Sequence, residues 1–153
     1  MKRELPKMIT PDLTAQEVFD YVSHFLFQQG EPSIRPSLGG DMCAYRGANA
    51  ANDRVLMCAV GCILPDEIYR RSMEGNGICE IRTRDPEHKP YWDLIKRHEG
   101  LFCSLQAVHD DLYDYKDKSK ARIRVVLLRS LQIVAQQLDL EFDEKDFVFD
   151  PKD

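Results

Sequence analysis

The sequence predicts an α+β fold, a mainly helical single domain with three to four helices packed on a small antiparallel β-hairpin, and three observations carry that expectation. Two stretches, Thr14 to Gln29 and Ser119 to Leu138, place apolar residues at helical spacing. Between them, Met42 to Arg46 and Arg54 to Val60 read as two short strands separated by the polar segment Gly47-Ala-Asn-Ala-Ala-Asn-Asp53. A chain of 153 residues is also long enough for one real core, since that size buries roughly 70% of its unfolded surface. Charge sets the expected boundary: residues 1–137 form the globular domain and residues 138–153 an acidic C-terminal extension.

The first helix has a complete set of local signals. Thr14 is a good N-cap, Glu17 completes a capping box, Leu13 can staple onto Val18, and Gly30 supplies the stop. Its stripe is Val18, Phe19, Val22, Phe25 and Leu26. Pro32, Pro36, Gly39 and Gly40 then forbid a continuous helix or a central strand. With Gly47 opposite Arg54, the hairpin sets Tyr45 against Leu56 and Cys43 against Cys58, all four on one face. A lone hairpin is unstable, so that face packs on helices. Pro65, followed by Asp66 and Glu67, suits the first turn of a short helix.

Glu74 to Pro90 reads as a long loop with one strand near Ile78 to Arg82. Helical patterning resumes at Tyr91, Trp92, Leu94 and Ile95, stops near Gly100, and restarts through Leu101, Leu105, Val108 and Leu112. In the last helix Ile123, Leu127, Leu131, Val134 and Leu138 share a face. Val125, Leu128 and Ile133 widen it into what reads as a central helix. The tail is either a terminal strand through Phe147-Val-Phe149 or a loosely held extension.

Composition narrows the function. The net charge of −5 resides in the tail, where seven acids from Asp139 to Asp153 face only Lys145 and Lys152. Residues 1–137 balance at 19 bases and 19 acids, which disfavours a globally basic nucleic-acid binder. An acidic nucleic-acid mimic built on the tail is a minor option. The charged start Met1-Lys2-Arg3-Glu4 lacks a signal-peptide pattern, five cysteines make an odd number, and no apolar run spans a bilayer. Together these predict a cytoplasmic protein with free thiols. Walker-A, GxGxxG, HExxH and GxSxG patterns are missing, so the common hydrolase and dinucleotide chemistries lose their warrant.

Cys43, Cys58 and Cys62, with a histidine such as His98 or His109, could hold zinc tetrahedrally, but the second close cysteine pair of a zinc ribbon is missing. Cys62 before the Pro65 turn is the best-placed thiolate candidate, although Ala59, Val60, Ile63 and Leu64 describe inert packing. Buried core cysteines are the preferred reading. His109-Asp110-Asp111 with Asp114 would make an awkward metal site, because His109 and Asp111 leave the face shared by Asp110 and Asp114; a solvated acidic helix end is the preferred reading, and a histidine oriented by a carboxylate from another element the alternative.

Lys116, Lys118, Lys120, Arg122, Arg124 and Arg129 form a basic run that opposes the dipole at the start of the last helix; internal balancing by Asp110, Asp111, Asp114 and Asp117 is the preferred reading and a bound anion the alternative. Arg46, Arg54, Arg70, Arg71, Arg82 and Arg84 form a second, scattered set near the hairpin. Guanidinium forks suit phosphate. The function expected is non-catalytic binding of a host protein or small anionic ligand by Arg46, Arg54, Arg70, Arg82, Arg84, Lys120 and Arg124, without a cofactor. The rival is a thiol- or zinc-dependent enzyme centred on Cys58, Cys62 and His109, with Cys43 as a further zinc ligand. No membrane partner is expected, nucleic acid is disfavoured, and self-association is left open.

CAYRG at Cys43 to Gly47 and CAVGCILPDEIY at Cys58 to Tyr69, followed by Met73-Glu74-Gly75, resemble a recurrent signature of small uncharacterised bacterial and bacteriophage proteins. The resemblance covers the first half of the chain, and His109-Asp110-Asp111 fits its helical pattern. It implies a setting, a small cytosolic accessory protein of phage or prophage origin, and carries no activity with it.

Overall fold

Capping decides where the first helix, α1 (Ala15–Gln29), begins and ends. In the computed structural model, which describes residues 9–37, 40–48, 55–77 and 88–149, the Thr14 hydroxyl accepts from the Glu17 N–H and the Glu17 carboxylate accepts from the Thr14 N–H. Gly30 closes the helix at φ 65°, the left-handed region that glycine enters freely. Two further helices follow, α2 (Lys89–Arg97) and α3 (Glu99–Asp111), then α4 (Lys120–Gln137), whose N-cap Ser119 accepts from the Arg122 N–H. The break between α2 and α3 falls at His98, just before the expected Gly100.

One core joins α1, α3 and α4 with the segment after the strands. Phe19, Leu26, Ile63, Leu94, Phe102, Leu105, Leu112, Ile123, Leu127 and Leu131 are among its fully buried side chains. Each such residue stabilises the fold by about 1.5–3 kcal/mol relative to exposure. The mainly helical α+β class is therefore what the chain adopts. The widened stripe of α4 is corrected: Val125 is 42% and Ile133 54% exposed, so α4 buries one face, and Arg124 is inside it.

Two antiparallel strand pairs occur where one hairpin was expected: β1 (Ile34–Ser37) with β2 (Gly40–Cys43), and β3 (Arg46–Ala48) with β4 (Val55–Met57). The expected strand Met42 to Arg46 breaks at Ala44-Tyr45: the Ala44 N–H still donates to the Ser33 carbonyl, in register with β1, whereas the Tyr45 N–H is drawn off to Glu74. Cys43 consequently pairs with Ile34, not Cys58. Gly47 lies opposite Leu56, two residues from the expected register. A Cβ on Gly47 would approach the Ile34 carbonyl oxygen to 2.6 Å, so this position is reserved for glycine beneath β1. A slip of two keeps the facing of side chains. Tyr45, Leu56 and Cys58 are thus still buried together.

β4 ends at Met57 instead of reaching Val60, since the chain turns through Cys62 N–H to Cys58 carbonyl and Leu64 N–H to Val60 carbonyl bonds. The outer edge of Met57 is met by the Gln29 side chain, whose Nε2 donates to the Met57 carbonyl and whose Oε1 accepts from the Met57 N–H, each at 2.9 Å. The expected Pro65 helix is a single turn, with Ile68 and Tyr69 N–H groups donating to the Pro65 carbonyl. It ends because Arg70 is extended, at φ −133° and ψ 139°, before a short 3-10 turn at Arg71–Met73.

After a left-handed Asp139, residues 140–149 lie along α1 without a strand at Phe147 to Phe149. Phe142 meets Phe19 edge-on, Phe147 stacks on His24 at 4.2 Å, and the Gln16 side chain exchanges two hydrogen bonds with the Glu141 backbone. The strand expected near Ile78 to Arg82 lies outside the described residues.

Candidate functional site

Three pieces of the sequence meet around the start of β3. The Glu74 carboxylate accepts from the Tyr45 N–H and the Arg46 N–H, each at 3.0 Å, and from the Tyr69 hydroxyl at 2.7 Å. Burial, then this bond to Glu74, push the Tyr69 phenol up to about 12. The Tyr45 hydroxyl donates to the Asn76 carbonyl at 2.6 Å. Arg46 lies over the Tyr69 ring, its Cζ 4.6 Å from the centroid, while Nη2 donates to the Leu64 carbonyl and Nη1 pairs with Asp66. CAYRG, PDEIY and MEG therefore build one structure. A charged side chain with its stem fixed in this way is held in one geometry at little further entropic cost.

Arg46 opens onto a cleft of about 690 Å³ lined by Ile34, Arg35, Arg46, Gly47, Val55, Met57, Asp66, Tyr69 and Arg71. Three guanidiniums face one carboxylate there. The side chains of Arg35 and Arg71 make no hydrogen bond or ion pair among the described residues, and the Asp66 side chain is 86% exposed. The apolar wall is Ile34, Val55 and Met57. Such a mixture, apolar walls with a few fixed charges, is how small-molecule sites are built.

The other sequence candidates fall elsewhere. Arg70 is exposed and donates to the Glu67 and Tyr69 carbonyls, without lining the cleft. Lys120 faces Glu31 at 3.6 Å. Arg124 is no surface ligand: it is 7% exposed, and its Nε and Nη2 donate to the Phe27 and Gln28 carbonyls at 2.8 and 3.0 Å. Arg54, Arg82 and Arg84 lie outside the described residues.

The zinc set Cys43, Cys58, Cys62 and His109 is not assembled. Among the described residues the one ligand-type cluster within 4.8 Å is Cys43, His109 and Asp110. His109 is fully buried instead of solvated, and its Nε2 accepts the Ser33 N–H at 2.8 Å. Its proton is then on Nδ1, 3.0 Å from Asp110 Oδ1, which also accepts from Gln106 Nε2. A metal on Nδ1 would force a proton onto Nε2, against the Ser33 N–H. The same bonds leave His109 no free lone pair to serve as a general base. The arrangement is a buried polar strut from Ser33 to α3.

The cysteines are equally constrained. Burial, then the charge and hydrogen bond of Asp110, push the Cys43 thiol up to about 12, and burial pushes Cys58 up to about 12. Burial likewise raises Cys62 well above its ordinary value, and its thiol donates to the Ala59 carbonyl at 3.2 Å. Thiolates are the reactive form. Native protein treated with iodoacetamide at pH 8 is accordingly expected to carry label at exposed Cys103 well before Cys43, Cys58 or Cys62, read by peptide mass spectrometry. Early labelling of Cys58 or Cys62 would contradict this packing.

No family model, curated protein or solved structure matches the chain. Among the described residues no helix is long and apolar enough to cross a membrane. Arg35 was hidden in the sequence because it sits between Pro32 and Pro36, in a segment that reads as loop. Glu74 carried a signal only as part of the MEG triplet; its backbone-binding role depends on contacts 28 and 29 residues away.

Proposed function

We propose that this chain is a non-catalytic binding protein whose ligand is a small anion seated in the cleft of Arg35, Arg46 and Arg71. The observation that supports the reading most is the pair Arg35 and Arg71, which line the same cleft and whose side chains make no hydrogen bond or ion pair among the described residues. Unpaired guanidiniums beside an apolar wall attract an anion and hold it by charge-assisted hydrogen bonds. The state of the groups on which a thiol- or zinc-dependent enzyme would rely supports the non-catalytic reading. The thiols of Cys43 and Cys58 are pushed up to about 12 and both nitrogens of His109 are engaged, so neither supplies a nucleophile or base. An accessory role in the phage or prophage setting implied by the sequence resemblance fits a ligand-sensing module.

Calorimetric or NMR titration with inorganic phosphate at low ionic strength tests the reading. Arg35→Gln and Arg71→Gln are each expected to weaken binding by about three- to tenfold, the loss of one charge-assisted contact at a partly exposed site. Lys120→Gln, which lies outside the cleft, is expected to bind like the parent. Parent protein that binds no anion at all, or variants indistinguishable from it, would remove the proposal.

A further inference from the structure

Within the cleft, Asp66 occupies the position of an anion. Its carboxylate pairs with Nη1 of Arg46, yet the aspartate is 86% exposed and sits on the one-turn segment after Pro65, while the Arg46 side chain is 14% exposed. Arg46 does not need Asp66 to stay in place. Its other nitrogen Nη2 is fixed to the Leu64 carbonyl at 2.7 Å, its plane rests on Tyr69, and its backbone N–H is held by Glu74. The pair therefore joins a fixed, preorganised cation to an exposed carboxylate at the solvent edge, the kind of exposed ion pair that is weak on its own.

Size and charge describe what replaces it. The cleft is wide and open to solvent, and beside its guanidiniums Ile34, Val55 and Met57 offer apolar surface that a bare oxyanion would leave uncovered, with Val55 53% exposed. Three guanidiniums, once Asp66 swings away, match a dianion with several oxygens better than a single carboxylate.

We infer that the ligand is a phosphate monoester carrying an apolar or aromatic body, and that its phosphoryl group enters by displacing Asp66 from Arg46. This rests on the anion-cleft reading above. Asp66 then acts as an internal competitor: it keeps Arg46 paired when the cleft is free and sets an affinity threshold that weak anions do not pass. The body of the ligand lies against Ile34, Val55 and Met57, while Arg35 and Arg71 close on the phosphoryl oxygens.

The test titrates phenyl phosphate into the parent protein, Asp66→Asn and Glu67→Gln, with inorganic phosphate and glutarate as comparison ligands at physiological ionic strength. Glu67 is the adjacent exposed acid and does not line the cleft, so Glu67→Gln removes the same charge without touching Arg46. Phenyl phosphate is expected to bind more tightly than inorganic phosphate. Asp66→Asn is expected to tighten it by about two- to fivefold, the strength of an exposed ion pair no longer competing. Glu67→Gln is expected to change it little. An unchanged or weaker affinity in Asp66→Asn, or an equal gain in Glu67→Gln, overturns displacement while leaving the anion cleft in place. Glutarate binding as well as phenyl phosphate overturns the phosphomonoester class. Failure of every anion to bind both parent and Asp66→Asn removes the cleft reading itself, and this inference with it.

Discussion

Gly61→Ala is expected to destabilise the protein by about 3 kcal/mol or more, at the far end of what single substitutions do. A Cβ at this position would stand 1.9 Å from the Tyr45 carbonyl oxygen and 2.8 Å from its carbon. Both atoms are backbone, so no side chain can rotate out of the way. Tyr45 is itself held on three sides, by Glu74 at its N–H, by the Cys58 N–H at its carbonyl, and by Asn76 at its hydroxyl. Relief would require the Cys58–Leu64 turn to withdraw from β3, which would also carry off the Leu64 carbonyl that fixes Arg46. Urea unfolding followed by circular dichroism reads the loss as a lower midpoint. Gly100→Ala is the matched control, since nothing lies within 4 Å of its added Cβ. Alanine there should leave stability level or raise it by up to about 1 kcal/mol, as usual for glycine in a helix. A Gly61→Ala protein that unfolds with its parent would show that the close approach does not exist.

Arg124→Met should cost about 2–4 kcal/mol without altering anion binding by the protein that remains folded. Helix α1 has no basic residue in its last turn, and its terminal carbonyls are served across the fold by Arg124 from α4. The positive charge sits where the helix dipole is negative. Its Cζ lies 3.7 Å from the Phe149 ring centroid and 5.6 Å from that of Phe27, so it also ties the tail to α1. Methionine fills much of the same volume and supplies none of this. The measurement is again the unfolding midpoint, paired with phosphate titration under native conditions. Normal stability combined with lost anion affinity would return Arg124 to the surface role its sequence position suggested.

Those two residues also show what could be read in advance. The ends of α1 were legible because Thr14, Glu17 and Gly30 act through bonds spanning a few residues. The start of α4 at Ser119 was legible for the same reason. The register of β3 and β4 was not, because it is fixed by β1 passing over Gly47 and by Glu74 drawing Tyr45 aside, contacts between distant segments. Arg124 carried a signal that charge obscured. It stands three residues before Leu127 and seven before Leu131, squarely on the buried face. The exposed Val125 and Ile133 look equally apolar in sequence, and only the neighbours of α4 decide which edge is covered. Of the arginines singled out near the hairpin, Arg46 and Arg71 line the cleft; Arg35 could not be found without knowing that its Pro-flanked segment forms β1.

Gln29 has a further consequence. A short outer strand offers its unused N–H and carbonyl groups to any passing extended chain, and proteins that leave such an edge bare recruit copies of themselves. By presenting one amide to both groups of Met57, Gln29 imitates a single residue of a neighbouring strand and then stops, because its own backbone belongs to α1. At Met57 that edge is already taken, by a partner that cannot itself be extended, and Arg124 is bonded to the two carbonyls that immediately precede that partner in α1.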